Sequence, residues 1–181
     1  PAALEAAAAT APTVVVANPQ ALPDGVSQVR NDDAAGARQA VEHLIARGHT
    51  RIAFLAGSTS HTRREREAAY RAVLREHGLE ASTYTDEAFL RAPERPTAVF
   101  ASNDRTAARL LGAAADAGLA VPEDLAIVGY DDMELARLLR PRLTTVSQPH
   151  AEMGRLAMEV LLAGSVERVV LTPTLVVRES A

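Results

Sequence analysis

Short uninterrupted apolar runs, separated by stretches of helical apolar spacing, constrain this chain more than any other feature. VVVA (14–17), RIAFLAG (51–57), TAVFASN (97–103), LAIVGY (125–130) and LTTVSQ (143–148) have the length of strands. Between the first two, residues 35–47 place Ala37, Ala40, Val41, Leu44 and Ile45 at helical spacing, with Asp32 or Asp33 as the expected cap and Gly48 as the stop. Further helices are expected over 64–77, 106–117 and from 150 or 151 to 162, ending at Gly78, Gly118 and Gly164. The last stretch, VVLTPTLVVRES, predicts one or two strands interrupted by Pro173, and the opening PAALEAAAATAP predicts the tail of a helix rather than a signal peptide. Strand–helix alternation with short connections implies a parallel α/β fold. Strands that are apolar along their whole length, rather than at every second residue, belong to sheets covered on both faces.

Composition narrows the chemistry. At 181 residues the chain is long enough for one large domain or two small ones, and 48% hydrophobic content argues against disorder. No run of about 18 apolar residues predicts a membrane span. Cysteine is absent, which removes disulfides, thiol nucleophiles and cysteine-ligated metals. All 19 basic residues are arginine, so there is no Schiff-base or P-loop lysine. The net charge of −4 argues against nucleic-acid binding by this stretch alone, and the densest basic cluster, Arg63-Arg64-Glu65-Arg66, carries an acid among its bases.

In open α/β sheets ligands bind beyond the carboxyl ends of the strands. Those ends carry Ala17-Asn18, the hydroxyl-rich Ser58-Thr59-Ser60-His61-Thr62, Asn103-Asp104, Asp131-Asp132 and Gln148. Amides, carboxylates, hydroxyls and the guanidinium of Arg66 form a bidentate hydrogen-bonding set suited to a polyhydroxylated ligand. Asp104 and Asp132 stand where a helix is capped, whereas Asp131 and Asn103 lie closer to strand ends, where a ligand role is expected. Arg66 by itself reads as a solvated helix residue. The five histidines show no HExxH spacing, GSTSH is not a G-x-S-x-G elbow, and no G-x-G-x-x-G occurs. No nucleophile, base and orienter assemble, so an enzyme, a metal site and a cofactor are not expected.

The motifs in order, AVEHLIARGHTRIAFLAG, TAVFASNDRTA, GLAVPEDLAIVGYDD, RPRLTTVSQP and EMGRLAMEVLL, resemble LacI-type transcriptional regulators from about Ala11 onward. That resemblance implies a type I periplasmic-binding-protein-like fold: two doubly wound parallel-sheet lobes joined by three crossings, with an effector in the cleft and dimerisation along the lobes. It apportions residues 1–30 to an incomplete N-terminal lobe, 31–147 to the C-terminal lobe, 148–170 to a return, and 171–181 to a final C-terminal-lobe segment. The family's effector contacts match Arg66 in REAAY, Asn103 in SND, the first acid of YDD, Asp131, the loop position Thr62, and Gln148 at the hinge-side end of LTTVSQ. Asp132 is then a structural neighbour of the grip. Ala69 stands where the family's arginine motif carries glycine, and Ala17 where many relatives face the cleft with an acid or amide. Residues 81–96 are expected to hold little more than one short helix, although regulators of this kind carry a strand and a helix there.

The implied role is an effector-binding and dimerisation domain of a cytoplasmic regulator. Its partners would be a sugar-like effector, a second copy, and operator DNA reached only through a helix-turn-helix outside this stretch, with no membrane. The alternative from the same fold is a sugar-binding protein of a transporter. Arg66→Ala and Asp131→Ala are each expected to abolish ligand binding while leaving the fold intact.

Overall fold

The computed structural model describes residues 2–19, 21–57 and 60–181. The chain divides into two units. The larger comprises Asp33–Ser147 with Thr174–Ala181, and the smaller the residues up to Asp32 with Gln148–Pro173, so the chain passes between them three times.

The larger unit is built on a six-stranded sheet. Its chain order is α2 (Asp33–Ala46), β3 (Ile52–Leu55), α3 (His61–Glu76), β4 (Ser82–Tyr84), a 3-10 turn (Ala88–Arg91), β5 (Ala98–Ala101), α4 (Asp104–Asp116), β6 (Ala126–Asp131), α5 (Glu134–Leu138), β7 (Thr144–Ser147) and β9 (Thr174–Val176). The spatial order is β4-β3-β5-β6-β7-β9, parallel throughout except for β9, which runs antiparallel to β7. From β3 the chain first builds outward to β4, then returns to place β5 on the other side. The strand order therefore reverses between β3 and β5, which is where doubly wound sheets open a crevice at their carboxyl ends.

In the larger unit the uninterrupted apolar runs have the predicted cause, whereas the VVVA run of the smaller unit is only half-buried to exposed along β1 (Thr13–Val16). Along β3, Ile52 and Phe54 point into one core with Val41, Leu44, Tyr70, Val73 and Leu74 of α2 and α3. Ala53 and Leu55 point into a second core with Ala107, Leu110, Leu111 and Ala114 of α4. Period-two alternation thus sends every residue into a protein interior. Each fully buried Leu, Ile or Phe contributes about 1.5–3 kcal/mol relative to exposure. On one face Phe54 stacks edge-on against Phe100 at 5.5 Å and tilts onto Tyr70 at 5.7 Å. The Tyr70 hydroxyl accepts from the Ser82 amide at 2.9 Å and lies 2.8 Å from the Ile52 carbonyl, tying β3 to β4 through a buried polar tip.

The smaller unit carries α1 (Ala2–Ala8), β1 (Thr13–Val16), β2 (Val26–Asn31), α6 (His150–Ala163) and β8 (Arg168–Leu171), with a parallel sheet of order β1-β2-β8. Met153 and Ala157 of α6 pack on Val29. Gly164 ends α6 in the left-handed region at φ 68°.

Three elements depart from expectation. The strand β2, VSQVRN, has no apolar run, yet it is almost wholly buried. Its polar side chains find backbone partners: the Ser27 hydroxyl donates to the Ser165 carbonyl at 3.1 Å, and the Gln28 amide to the Ala17 carbonyl at 2.9 Å. Residues 81–96 hold the edge strand β4 and a 3-10 turn rather than a short helix alone. Helix α3 starts at His61, three residues before Arg64, because the Ser60 hydroxyl accepts the Arg63 amide at 3.2 Å and caps it. Ser58 and Thr59 of the hydroxyl-rich loop lie outside the described residues.

Candidate functional site

Helix α3 delivers Arg66 to the carboxyl ends of β5 and β6. The side chain is only 6% exposed. Its Nε donates to Asp33 Oδ1 at 2.8 Å, at the first residue of α2, and its Nη1 donates to the Ser102 carbonyl at 2.7 Å, just past β5. The guanidinium carbon lies 3.5 Å from the centroid of Tyr130 on β6. Nη2 faces Asp131 Oδ1 at 3.6 Å, an ion pair too long for a hydrogen bond. One arginine therefore joins α2, α3, β5 and β6. The expectation that Arg66→Ala leaves the fold intact does not fit this geometry, because it would strand the Asp33 carboxylate, itself 2% exposed, without its cation.

Asp131 and Asp132 close β6 with φ of 113° and 48°. Non-glycine residues avoid positive φ, at about 1–3 kcal/mol each, unless their surroundings impose it. Here the surroundings do. The Asp132 carboxylate is clamped by Arg178 at 2.5 Å and Arg137 at 3.3 Å. It caps no helix: the residue before α5 is Met133, which makes no side-chain cap bond. The neighbouring Asp131 side chain is 28% exposed beside Arg66.

Asp104 is not the cap of α4 either. That position belongs to Asn103, whose side-chain oxygen accepts the Thr106 amide at 2.9 Å. The Asn103 side-chain nitrogen is chemically a donor, and the preceding residue, Ser102, is the one whose carbonyl Arg66 holds. Asp104 is fully buried; one oxygen accepts the Met133 amide at 2.7 Å and the other the Thr145 hydroxyl. Burial pushes its carboxyl up to about 6, the Asp131 and Asp132 charges push the same way, and the Thr145 and Met133 hydrogen bonds act against them. Gly129 makes room for it, since a Cβ there would stand 2.4 Å from Asp104 Oδ1 and 2.8 Å from Leu143 Cδ2.

Thr62 lies four residues before Arg66 on α3, hence on the same helix face, with its hydroxyl 3.0 Å from that of Ser60. Gln148, the first residue after β7, belongs to the smaller unit. Arg66 and Asp131 are thus brought together, Asn103 adjoins the carbonyl Arg66 holds, and Thr62 shares its helix face. Sequence reasoning missed Asp33, Asp104 and Tyr130 as their supports. A paired acid at a helix start was the available signal for Asp33. Among the described residues no three groups converge as a metal site, and none of their helices is long and apolar enough to cross a membrane.

Residues 41–181 match the periplasmic binding protein-like domain family. The chain is 37% identical over 180 residues to the ribose operon repressor of Escherichia coli K12, covering 87% of this chain and 54% of the repressor. It spans about half the length of the curated relatives it matches. A LacI transcriptional regulator from a Rhodococcus species superposes with a TM-score of 0.90 at 37% identity, over 98% of this chain and 72% of that one. A LacI family regulator from Enterococcus faecium with bound ribose gives a TM-score of 0.82 at 25% identity, over 94% and 70%.

Proposed function

The chain belongs to the LacI family of transcriptional regulators, and we propose that it binds a sugar-like effector at the carboxyl edge of the larger unit's sheet. The observation that carries this reading is the pairing of Arg66 Nη2 with the partly exposed Asp131 carboxylate at 3.6 Å. Donor and acceptor stand side by side there, and a ligand diol offers the complementary groups to both. Asn103 and Thr62 extend the set with an amide and a hydroxyl. The ribose bound to the Enterococcus regulator and the name of the ribose operon repressor make D-ribose the first compound to try.

In the whole protein the effector would act by binding one conformation better than another and so shifting its population, with operator affinity changing by the reciprocal factor. A second copy completes the proposed assembly. The test is thermal unfolding of the full-length protein against D-ribose, other pentoses, hexoses and nucleosides. A ligand present at 100 times its Kd stabilises the native state by about 2.7 kcal/mol. A selective rise in Tm with D-ribose or a related sugar supports the proposal. A panel without any shift contradicts the sugar assignment.

A further inference from the structure

We infer that Asp104 is a positioning residue that holds the Asp131–Asp132 turn in its left-handed conformation and so aims the Asp131 carboxylate. The inference deepens the proposed function and rests on it for the word ligand, though not for the hold on the turn.

Three observations converge. The turn has φ of 113° and 48° at two non-glycine residues, a conformation that persists only under restraint from its surroundings. At Asp132 the restraint is the pair of arginines, Arg178 and Arg137. At Met133, the next residue, it is a single hydrogen bond of 2.7 Å from the backbone amide to Asp104 Oδ2. The other Asp104 oxygen is fixed by the Thr145 hydroxyl of β7, and the carboxylate lies against Gly129 of β6 with no space for a side chain there. Asp104 thereby ties the start of α4 to the end of β6 and to β7, at the residues that flank the grip.

The hold is strongest when the carboxylate is ionised, because a charge-assisted bond to an amide is roughly twice as strong as a neutral one. Protonation forces one oxygen to become a donor toward Thr145 and leaves a neutral carbonyl for Met133. The charges acting on Asp104 are Asp131 and Asp132 at the end of β6, while β7 presents the neutral Thr145 and β6 the bare Gly129. With its carboxyl at about 6, Asp104 passes between these two states just below neutral pH.

The experiment is a pH titration from 5 to 8 of the full-length protein labelled with 15N-methionine, read at the Met133 amide. It is run for the wild type, Asp104→Asn and Thr145→Val. The wild-type Met133 resonance is expected to titrate with a midpoint near 6. In Asp104→Asn it is expected to be flat, and in Thr145→Val to titrate at higher pH, because the hydroxyl that favours the ionised form is gone. D-ribose affinity is measured on the same samples. It is expected to fall severalfold in the wild type from pH 7.5 to pH 5, and in Asp104→Asn to stay at the weak level at every pH. A Met133 amide that behaves identically in wild type and Asp104→Asn overturns the inference whatever the sugar does. If Met133 responds as expected but the wild type binds no ribose or other sugar, the hold on the turn is supported and the proposed function falls.

Discussion

In the larger unit every residue of β3 and β5 is buried, whereas β1 of the smaller unit is half-buried at three positions and exposed at the fourth, and β8 alternates between exposed and half-buried. Val16, Met158, Leu162, Val166 and Val170, all of the smaller unit, are large apolar side chains that remain exposed. The larger unit interleaves its sheet between two apolar cores, while the smaller rests on the cluster of Val29, Met153 and Ala157. The Arg66–Asp33 pair and the buried Asp104 require the first kind of setting. Charges pair firmly and strained backbone persists only where the surrounding packing over-determines them.

The sharpest way to break this comparison is a matched pair of core truncations. Phe54→Ala, with contacts on Tyr70 and Phe100, is expected to destabilise the larger unit by about 3–5 kcal/mol. Met153→Ala in the smaller unit is expected to cost about 2 kcal/mol, the low end for such a change, because its surroundings are partly open. Native-state hydrogen exchange separates the two units, and equal losses of protection in both would remove the distinction.

Next in size is Arg66→Ala, expected to cost about 3–5 kcal/mol by leaving Asp33 buried without its partner. Replacing both, as Arg66→Met with Asp33→Leu, is expected to recover much of that loss in denaturant unfolding. No recovery would mean that the Ser102 carbonyl or the Tyr130 ring matters more than the ion pair.

Asp104 supplies a smaller effect with a definite sign. Its carboxyl is raised from the ordinary 3.8 to about 6 in the folded state. Below pH 4 both folded and unfolded forms are protonated. Between about 4 and 6 the folded form keeps a proton that the unfolded chain releases, so its contribution to stability declines as pH rises. Above about 6 both are ionised and the penalty, on the order of 3 kcal/mol, is complete. The difference in unfolding free energy between wild type and Asp104→Asn is expected to trace this slope; a pH-independent difference contradicts it. Smallest of all is Val16→Thr on the exposed end of β1, expected to change stability by no more than about 0.5 kcal/mol.

These contrasts also explain which parts of the fold were legible in the sequence. VVVA, RIAFLAG, TAVFASN, LAIVGY and LTTVSQ announce themselves because apolar residues line both faces, and all five are strands. VSQVRN is hidden because its burial depends on Ser27 and Gln28 finding backbone partners far along the chain, Ser165 among them. The helix starts at His61 and Asp104 depend on caps, Ser60 and Asn103, that compete with equally plausible neighbours. The family resemblance singled out Arg66, Asn103 and Asp131 through their motifs. Their supports were opaque, since Asp33 is 33 residues from Arg66 and Thr145 is 41 from Asp104. Nothing local in the sequence distinguishes a capping acid from one that anchors a buried network.

The central claim is that Asp131 grips a polar ligand beside Arg66, and calorimetric titration of D-ribose into full-length wild type and Asp131→Asn tests it most directly. Asparagine keeps the size of the side chain and tolerates positive φ, so the turn is retained while the charged acceptor is lost. The account predicts binding to the wild type and at least about tenfold weaker binding to the variant, the loss expected for a hydrogen bond to a charged group worth about 1.5–3 kcal/mol. Equal affinity in the two proteins would contradict it.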